Sequence, residues 1–205
     1  MSALSSNAIV GVIGAGAMGA GIAQVAALAG HPVILHDNRP GAAAHAITGI
    51  DRQLAKRVDS GKLSASAHSA CMANLHAADS IEALADANLV IEAIVENLQV
   101  KRELFRSLES LCSTDCILAS NTSSLSITAL AAELEHPERM IGMHFFNPAP
   151  IMALVIAIVA SVEGLLVEGS AESLGRHTTA SVVKSIFLVI VLDGLFAVFF
   201  ASIGM

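Results

Sequence analysis

The sequence predicts an α/β domain on a doubly wound parallel sheet. Three observations carry that prediction. Short apolar runs alternate with stretches of helical periodicity from Ala8 to His144. The first run, Ala8 to Ile13, opens directly into a glycine-rich turn in which Gly14, Gly16 and Gly19 have the G-x-G-x-x-G spacing. The second run, Pro32 to Leu35, ends at His36-Asp37, where a carboxylate would meet a ligand lying on that turn.

The elements follow in order. Ala8 to Ile13 is apolar throughout and reads as a buried parallel strand. Met18 to Leu28 is a small-residue helix closed by Gly30. Gly41 to Val58 carries Ile47, Ile50, Leu54 and Val58 at helical spacing and stops at Gly61. Ser64 to Met72 is a weaker helix, followed by a short strand near Asn74 to His76 and a helix around Ile81 to Ala85. Asn88 to Ile94 is a second buried strand, and the helix Val100 to Leu111 places Val100, Leu104, Leu108 and Leu111 on one face. Cys116 to Ala119, the helix Ile127 to Leu134 and the strand Met140 to Met143 complete the alternation.

The glycine turn assigns a ligand class. Gly14 permits the tight turn, Gly16 lets backbone approach a pyrophosphate, and Gly19 lets helix pack close on strand. The helix start offers free N–H groups and a positive dipole end to phosphates. Asp37 would accept hydrogen bonds from an adenosine ribose, which favours NAD over NADP. Arg39 would tolerate a 2′-phosphate that Asp37 repels. The competing reading is a glycine turn in an unrelated α/β domain, with Asp37 capping a loop. The Rossmann-type reading has strand, turn, helix and acid all in its favour.

Composition narrows the classes further. Lys and Arg total 11 against 18 Asp and Glu, a formal charge of −7, which argues against a nucleic-acid partner. The three cysteines, Cys71, Cys112 and Cys116, make no even framework, and no histidines accompany them at metal-ligand spacing. Inert buried thiols in a cytoplasmic protein are expected, with no metal, and no secretory signal is recognised at Met1 to Asn7. Hydrophobic residues nevertheless reach 54% and charged residues only 14%, against roughly 45–50% and about 25% in an average soluble domain. The excess gathers toward the C-terminus.

Polar residues at strand ends are where chemistry is expected. Hydride transfer at a hydroxyl needs a base for the departing proton and groups that hold the oxygen. His144, Ser123 and Asn147 supply those residue types. The competing reading is that His144 is a histidine hydrogen-bonded at a strand end and the serines are helix caps before Leu125. Lys56, Arg57 and Lys62 form a local basic cluster, either a solvated helix end or a grip on an acidic substrate handle.

The runs VIGAGAMGAGIAQVAALAG, LVIEAIVENLQVKRELF, ILASNTSSLSIT and ERMIGMHFFNPAPIMALV together resemble the L-3-hydroxyacyl-CoA dehydrogenase family. RVDSGKL, Arg57 to Leu63, is similar to the branch acting on 3-hydroxybutyryl- or 3-hydroxyadipyl-CoA. The resemblance covers residues 1 to about 155 and implies NAD as cofactor and an acyl-CoA substrate. It implies that Gly14, Ala15, Gly16, Ala17, Met18, Gly19 and Asp37 bind the cofactor, with Glu96, Lys101, Ser123 and Asn147 on its nicotinamide side. His144 would be the general base, Ser123 and Asn121 would meet the substrate, and Lys62 would contact the CoA phosphates. The family pairs its histidine with a glutamate; that position is Ile156 here. The family also forms homodimers through a helical domain, and nothing after Ile156 resembles that domain.

From about Ala153 the chain instead resembles the C-terminal end of the permease subunit of bacterial phospholipid ABC transporters. The stretches GSAESLGRHTTASVV and LVIVLDGLFAVFF carry that likeness, and suggest a chimera with the hydrophobic segment 156–205 as a separate unit. Ser185 to Met205 has Asp193 as its single charge and is long enough to span a bilayer, so membrane tethering of a cytoplasmic domain is expected; the alternative is a buried helix. Ile151 to Val167 is a marginal second span because of its length and Glu163.

Overall fold

A computed structural model describes residues 5 and 7–152. Six strands alternate with helices: β1 (Val10–Ile13), α1 (Ala17–Leu28), β2 (Val33–His36), α2 (Ala42–Asp59), α3 (Ala65–Ala73), β3 (Leu75–Ala78), β4 (Leu89–Glu92), α4 (Leu98–Leu111), β5 (Ile117–Ser120), α5 (Ile127–Ala131), β6 (Met140–Gly142) and α6 (Ala149–Met152). Single 3₁₀ turns occupy Ile81–Leu84 and Pro137–Arg139. The strands form one sheet in the order β3-β2-β1-β4-β5-β6, every pair parallel. This is the doubly wound arrangement, whose order reverses between β1 and β4.

The pleat divides the core in two. Val10, Val12, Val33, Leu35, Leu89 and Ile91 face Ile22, Ala23, Ala27, Ile50 and Leu54 of α1 and α2. Ile13, Val90, Leu118 and Met140 face the opposite way, onto Phe105 and Leu108 of α4 and Leu130 of α5. Both faces are covered, which explains strands that are apolar without alternation. Cys71, Cys112 and Cys116 are buried free thiols within these layers.

Local chemistry sets the ends of the helices. After α1, Gly30 takes a left-handed φ of 96° and the His31 N–H closes back on the Ala26 carbonyl. Ser64 Oγ accepts from Ala67 N, Asn97 Oδ1 from Gln99 N and Val100 N, and Ser126 Oγ from Ala129 N, so each begins a helix. Ser126, rather than the serines before Leu125, is therefore the cap of α5.

Three expectations shift. The strand expected over Asn88 to Ile94 stops at Glu92, because the Ile94 N–H turns back to the Glu92 carboxylate at 2.7 Å. The buried face of α4 is Lys101, Phe105 and Leu108, with Val100 exposed and Leu104 only half-buried. The apolar stripe read from the sequence is thus rotated, and Val100 and Leu104 wall a cleft instead. The helix expected near Ile81 is a single 3₁₀ turn. The hydrophobic segment 156–205, including 185–205, lies outside the described residues. Among the described residues no helix is long and apolar enough to cross a membrane.

Candidate functional site

The β1/β4 crossover places two loops side by side at the carboxyl edge of the sheet. Ile13 pairs in register with Glu92, so the glycine turn after β1 lies against Ala93 and Ile94 after β4. Gly14 has φ 99°, and a Cβ there would stand 2.5 Å from the Ala93 carbonyl oxygen. A Cβ on Gly19 would overlap the Gly14 carbonyl. Nothing lies within 4 Å of a Cβ on Gly16, which begins α1 and faces the cleft. Crowding thus demands glycine at 14 and 19. At 16 glycine leaves backbone bare where a diphosphate would lie against a helix start.

Asp37 closes the other side. Its carboxylate accepts from Ala15 N at 2.7 Å, from Arg39 N at 3.0 Å and Nε at 2.9 Å, and from Arg39 Nη2 at 3.2 Å. The Arg39 guanidinium holds the Asp37 carboxyl well below the usual carboxylate range, against the opposing effect of burial and with help from the Ala15 N–H. The carboxylate is therefore ionised and fastened to the glycine turn. A cleft of about 650 Å³ runs from Gly16 and Asp37 past Ile94 and Val95 to Val100 and Leu104, an apolar wall beside a fixed negative charge.

Beneath the same edge lies a buried charge network. Glu92 and Lys101 are 0% and 1% exposed, and Lys101 Nζ donates to Glu92 Oε1 at 2.5 Å. The second Glu92 oxygen accepts from Ser120 Oγ at 2.6 Å, its registered neighbour at the end of β5. Lys101 Nζ also reaches Glu96 Oε2 at 3.2 Å. The other Glu96 oxygen accepts from Thr122 Oγ1 at 2.5 Å, from Ser123 N and Ser124 N at 3.1 Å each, and from Ser124 Oγ at 3.0 Å. Burial pushes the Glu96 carboxyl up, but the Thr122 hydroxyl, the Ser124 N–H and Lys101 bring it down to about 2. Glu96, Lys101 and Ser123 are thereby brought together.

The remaining sequence-derived residues divide. Asn121 Oδ1 accepts from Phe145 N at 2.7 Å, so this side chain ties the loop after β5 to the loop that carries His144. His144 meets Phe146 edge-on with ring centroids 5.1 Å apart. Its Nδ1 is buried and has no hydrogen-bond partner among the described residues. Lys62 and Asn147 line a cleft of about 1090 Å³ with Ala15, Gly16, Ala17, Arg39 and Arg57. Ser123 and His144 line neither of these two clefts.

Glu92, Ser120 and Thr122 lie in strand-end stretches that the sequence marks for ligand contact, but their individual parts are not legible there. The available signal was a carboxylate inside the apolar run LVIEAIV, which burial makes costly without a cation. Lys101 on the next helix is that cation. Thr122 and Ser120 sit in a serine-rich stretch whose members look alike until the register selects among them.

Sheet order, bare glycine turn and fixed acid define a dinucleotide-binding domain of the Rossmann type, and the cradle fits such a cofactor. The family model for 3-hydroxyacyl-CoA dehydrogenase, NAD binding domain, matches residues 9–163, and the chain belongs to that family; its cofactor is NAD. The chain is 52% identical over 146 residues to 3-hydroxyadipyl-CoA dehydrogenase of Escherichia coli K12, covering 71% of this chain and 31% of that protein. It is 43% identical over 147 residues to 3-hydroxybutyryl-CoA dehydrogenase of Clostridioides difficile, covering 72% of this chain and 52% of that protein. The crystal structure of 3-hydroxybutyryl-CoA dehydrogenase from E. coli K12 superposes with a TM-score of 0.70 at 51% identity, over 71% of this chain and 31% of that one. The chain thus spans from about a third to about half the length of these relatives. A second family model, Permease MlaE, matches residues 140–199 and overlaps the first.

Two outcomes follow from the charge network. Lys101→Met leaves the Glu92 carboxylate buried without its cation and is expected to cost about 3–5 kcal/mol in urea unfolding. Adding Glu92→Gln should recover at least half of that loss. Recovery of none would mean that the pair is not coupled. Glu96 has a folded value of about 2 against an ordinary 4.5. Its stabilising contribution is thus complete above pH 4.5 and is lost as pH falls through 2. Glu96→Gln should flatten the fall in Tm over that window, and a curve unchanged in shape would contradict the assignment.

Proposed function

We propose that this chain is the nucleotide-binding part of an NAD-dependent L-3-hydroxyacyl-CoA dehydrogenase, which oxidises the 3-hydroxyl of an acyl-CoA to the ketone. The observation that carries the reading is the Ala15 N–H donated to Asp37 beside the bare face of Gly16, in a chain of this family. Gly14 to Gly19 hold the diphosphate and Asp37 the adenosine ribose. NAD, when bound, supplies the hydride acceptor. Glu96, Lys101, Ser123 and Asn147 serve its nicotinamide side, Lys101 acting from a buried position through Glu96. Ser123 and Asn121 face the substrate oxygen, His144 takes the hydroxyl proton, and Lys62 meets the CoA phosphates from the cleft it shares with Arg57.

General-base catalysis of this kind is worth ~10²–10⁴-fold and depends on a correctly oriented ring. A histidine that accepts a proton becomes cationic, and a carboxylate on its second nitrogen fixes the tautomer and stabilises that charge. Among the described residues His144 Nδ1 has no such partner, and position 156 is isoleucine. The 205-residue chain is accordingly expected to bind NADH while reducing acetoacetyl-CoA slowly or not at all. Ile156→Glu by itself should leave the rate below that of the family. NADH binding is read by fluorescence titration and turnover by loss of NADH absorbance. A chain that binds no NADH would overturn the nucleotide reading. Rapid turnover would mean that another carboxylate completes the site.

A second reading concerns the remainder. Residues from about 153 derive from a lipid-transporter permease, joined to the dehydrogenase part and anchoring it at a membrane. It is favoured by the permease match to 140–199, overlapping the dehydrogenase match to 9–163. Reading the genomic DNA across codons 150–160 tests it: a continuous frame supports a native fusion, and a break there assigns the join to assembly.

A further inference from the structure

The Asp37–Arg39 pair has a consequence for the cofactor that goes beyond the family's use of the acid. An ionised carboxylate offers about four acceptor positions. Four donors already reach Asp37. Oδ1 accepts from Arg39 N and Nε, and Oδ2 accepts from Ala15 N and Arg39 Nη2. Two of these donors are backbone N–H groups fixed by the turns themselves. The other two belong to one guanidinium, on a side chain that is 70% exposed while the Asp37 side chain is 7% exposed. A ribose diol binds such an acid by donating hydroxyl protons to it. The guanidinium covers both oxygens of a carboxylate that is otherwise buried, so a diol approaching Asp37 meets Arg39, and of the four donors only the guanidinium is free to move aside.

We propose that Arg39 is a specificity-determining residue that competes with the adenosine ribose for Asp37, and that it must swing off the carboxylate when NAD enters. This rests on the nucleotide-binding reading above. Arg39 lines both the cleft beside Val100 and the wider cleft that contains Arg57 and Lys62, so its side chain has room on either side of its present position. The competition is selective. A 2′-hydroxyl replaces a donor lost from Asp37, whereas a 2′-phosphate brings only acceptors toward an acid and gains from any cation nearby. Arg39 thus weakens NAD binding through competition and lessens the repulsion that NADP meets. Its presence narrows the preference that Asp37 alone would impose.

The test is equilibrium titration of the full chain with NADH and with NADPH at 0.15 M salt, a concentration at which exposed charges beyond about 8 Å are screened. Arg39→Met keeps the aliphatic stem and removes the donors. It should bind NADH about five-fold more tightly, the scale that release of an exposed ion pair supports. NADPH should bind no more tightly than before, so the preference for NADH widens by at least that factor. Arg39→Lys keeps the charge but loses the two-pronged geometry, and should tighten NADH by a smaller factor. It serves as the reading if Arg39→Met fails to fold. NADH affinity unchanged or weakened in the folded variants would overturn the proposal, and would assign Arg39 to holding the nucleotide. Failure of the unaltered chain to bind NADH would instead overturn the nucleotide-binding reading itself.

Discussion

The buried ion pair between Glu92 and Lys101 is the interaction on which the carboxyl edge of the sheet depends. Glu92 ends β4 between Ile13 of β1 and Ser120 of β5, with no solvent to hold its charge. A carboxylate there is tolerable only because an ammonium, a serine hydroxyl and a backbone N–H satisfy it. Each partner belongs to a different segment. Ile94 is in the loop after β4, Lys101 is in α4, and Ser120 leads into the loop of Asn121 to Ser124. One charge at the centre of the edge thereby sets the height of the loop that packs on Gly14 and of the loop that carries Ser123. Replacing such a pair by apolar residues is often neutral for stability.

The network continues outward by steps of decreasing burial. Lys101 reaches Glu96, Glu96 gathers Thr122, Ser123 and Ser124, and Asn121 ties Phe145 beside His144. Residues far apart in sequence are thus held by one polar scaffold at the carboxyl edge of the sheet. Preorganisation of this kind fixes the geometry of the loops before any ligand arrives. The glycine turn adds the complementary constraint. Its backbone must pass so close to Ala93 and to its own helix that side chains at 14 and 19 are excluded. The scaffold and the turn meet at the β1/β4 crossover, where, among the described residues, the strand order reverses and neighbouring loops diverge to opposite faces of the sheet.

Much of this was legible in the sequence. Parallel strands buried on both faces leave continuous apolar runs, so β1, β2, β4 and β5 announce themselves. Glycine at fixed offsets and Asp37 after the second strand are equally plain, because each answers a backbone or charge requirement local to its own turn. Long-range pairing was not legible. Of the stripe Val100, Leu104, Leu108 and Leu111 only Leu108 is buried, and Lys101 takes the interior because Glu92 waits there. Helical periodicity counts apolar residues and has no means of ranking a buried cation above a valine. The hydrogen bond from Phe145 N to the Asn121 side-chain carbonyl, which ties two loops together, was likewise beyond residue type alone. Arg39 was seen as a tolerance for phosphate, while its hold on Asp37 depends on a turn geometry that residue type does not encode.

The surface proposed to take the nucleotide spans the β1/β4 crossover and is held by the glycine turn, Asp37 and the loop above Glu92. Hydrogen–deuterium exchange of the full chain with and without NADH tests it directly. The account predicts that protection gained on NADH binding concentrates in the peptides containing Gly14 to Gly19, Asp37 to Arg39 and Ala93 to Glu96. The segment Ala65 to Ala73, on α3, should exchange as before. Protection that bypasses the glycine turn, or that falls chiefly on α3, would contradict the account.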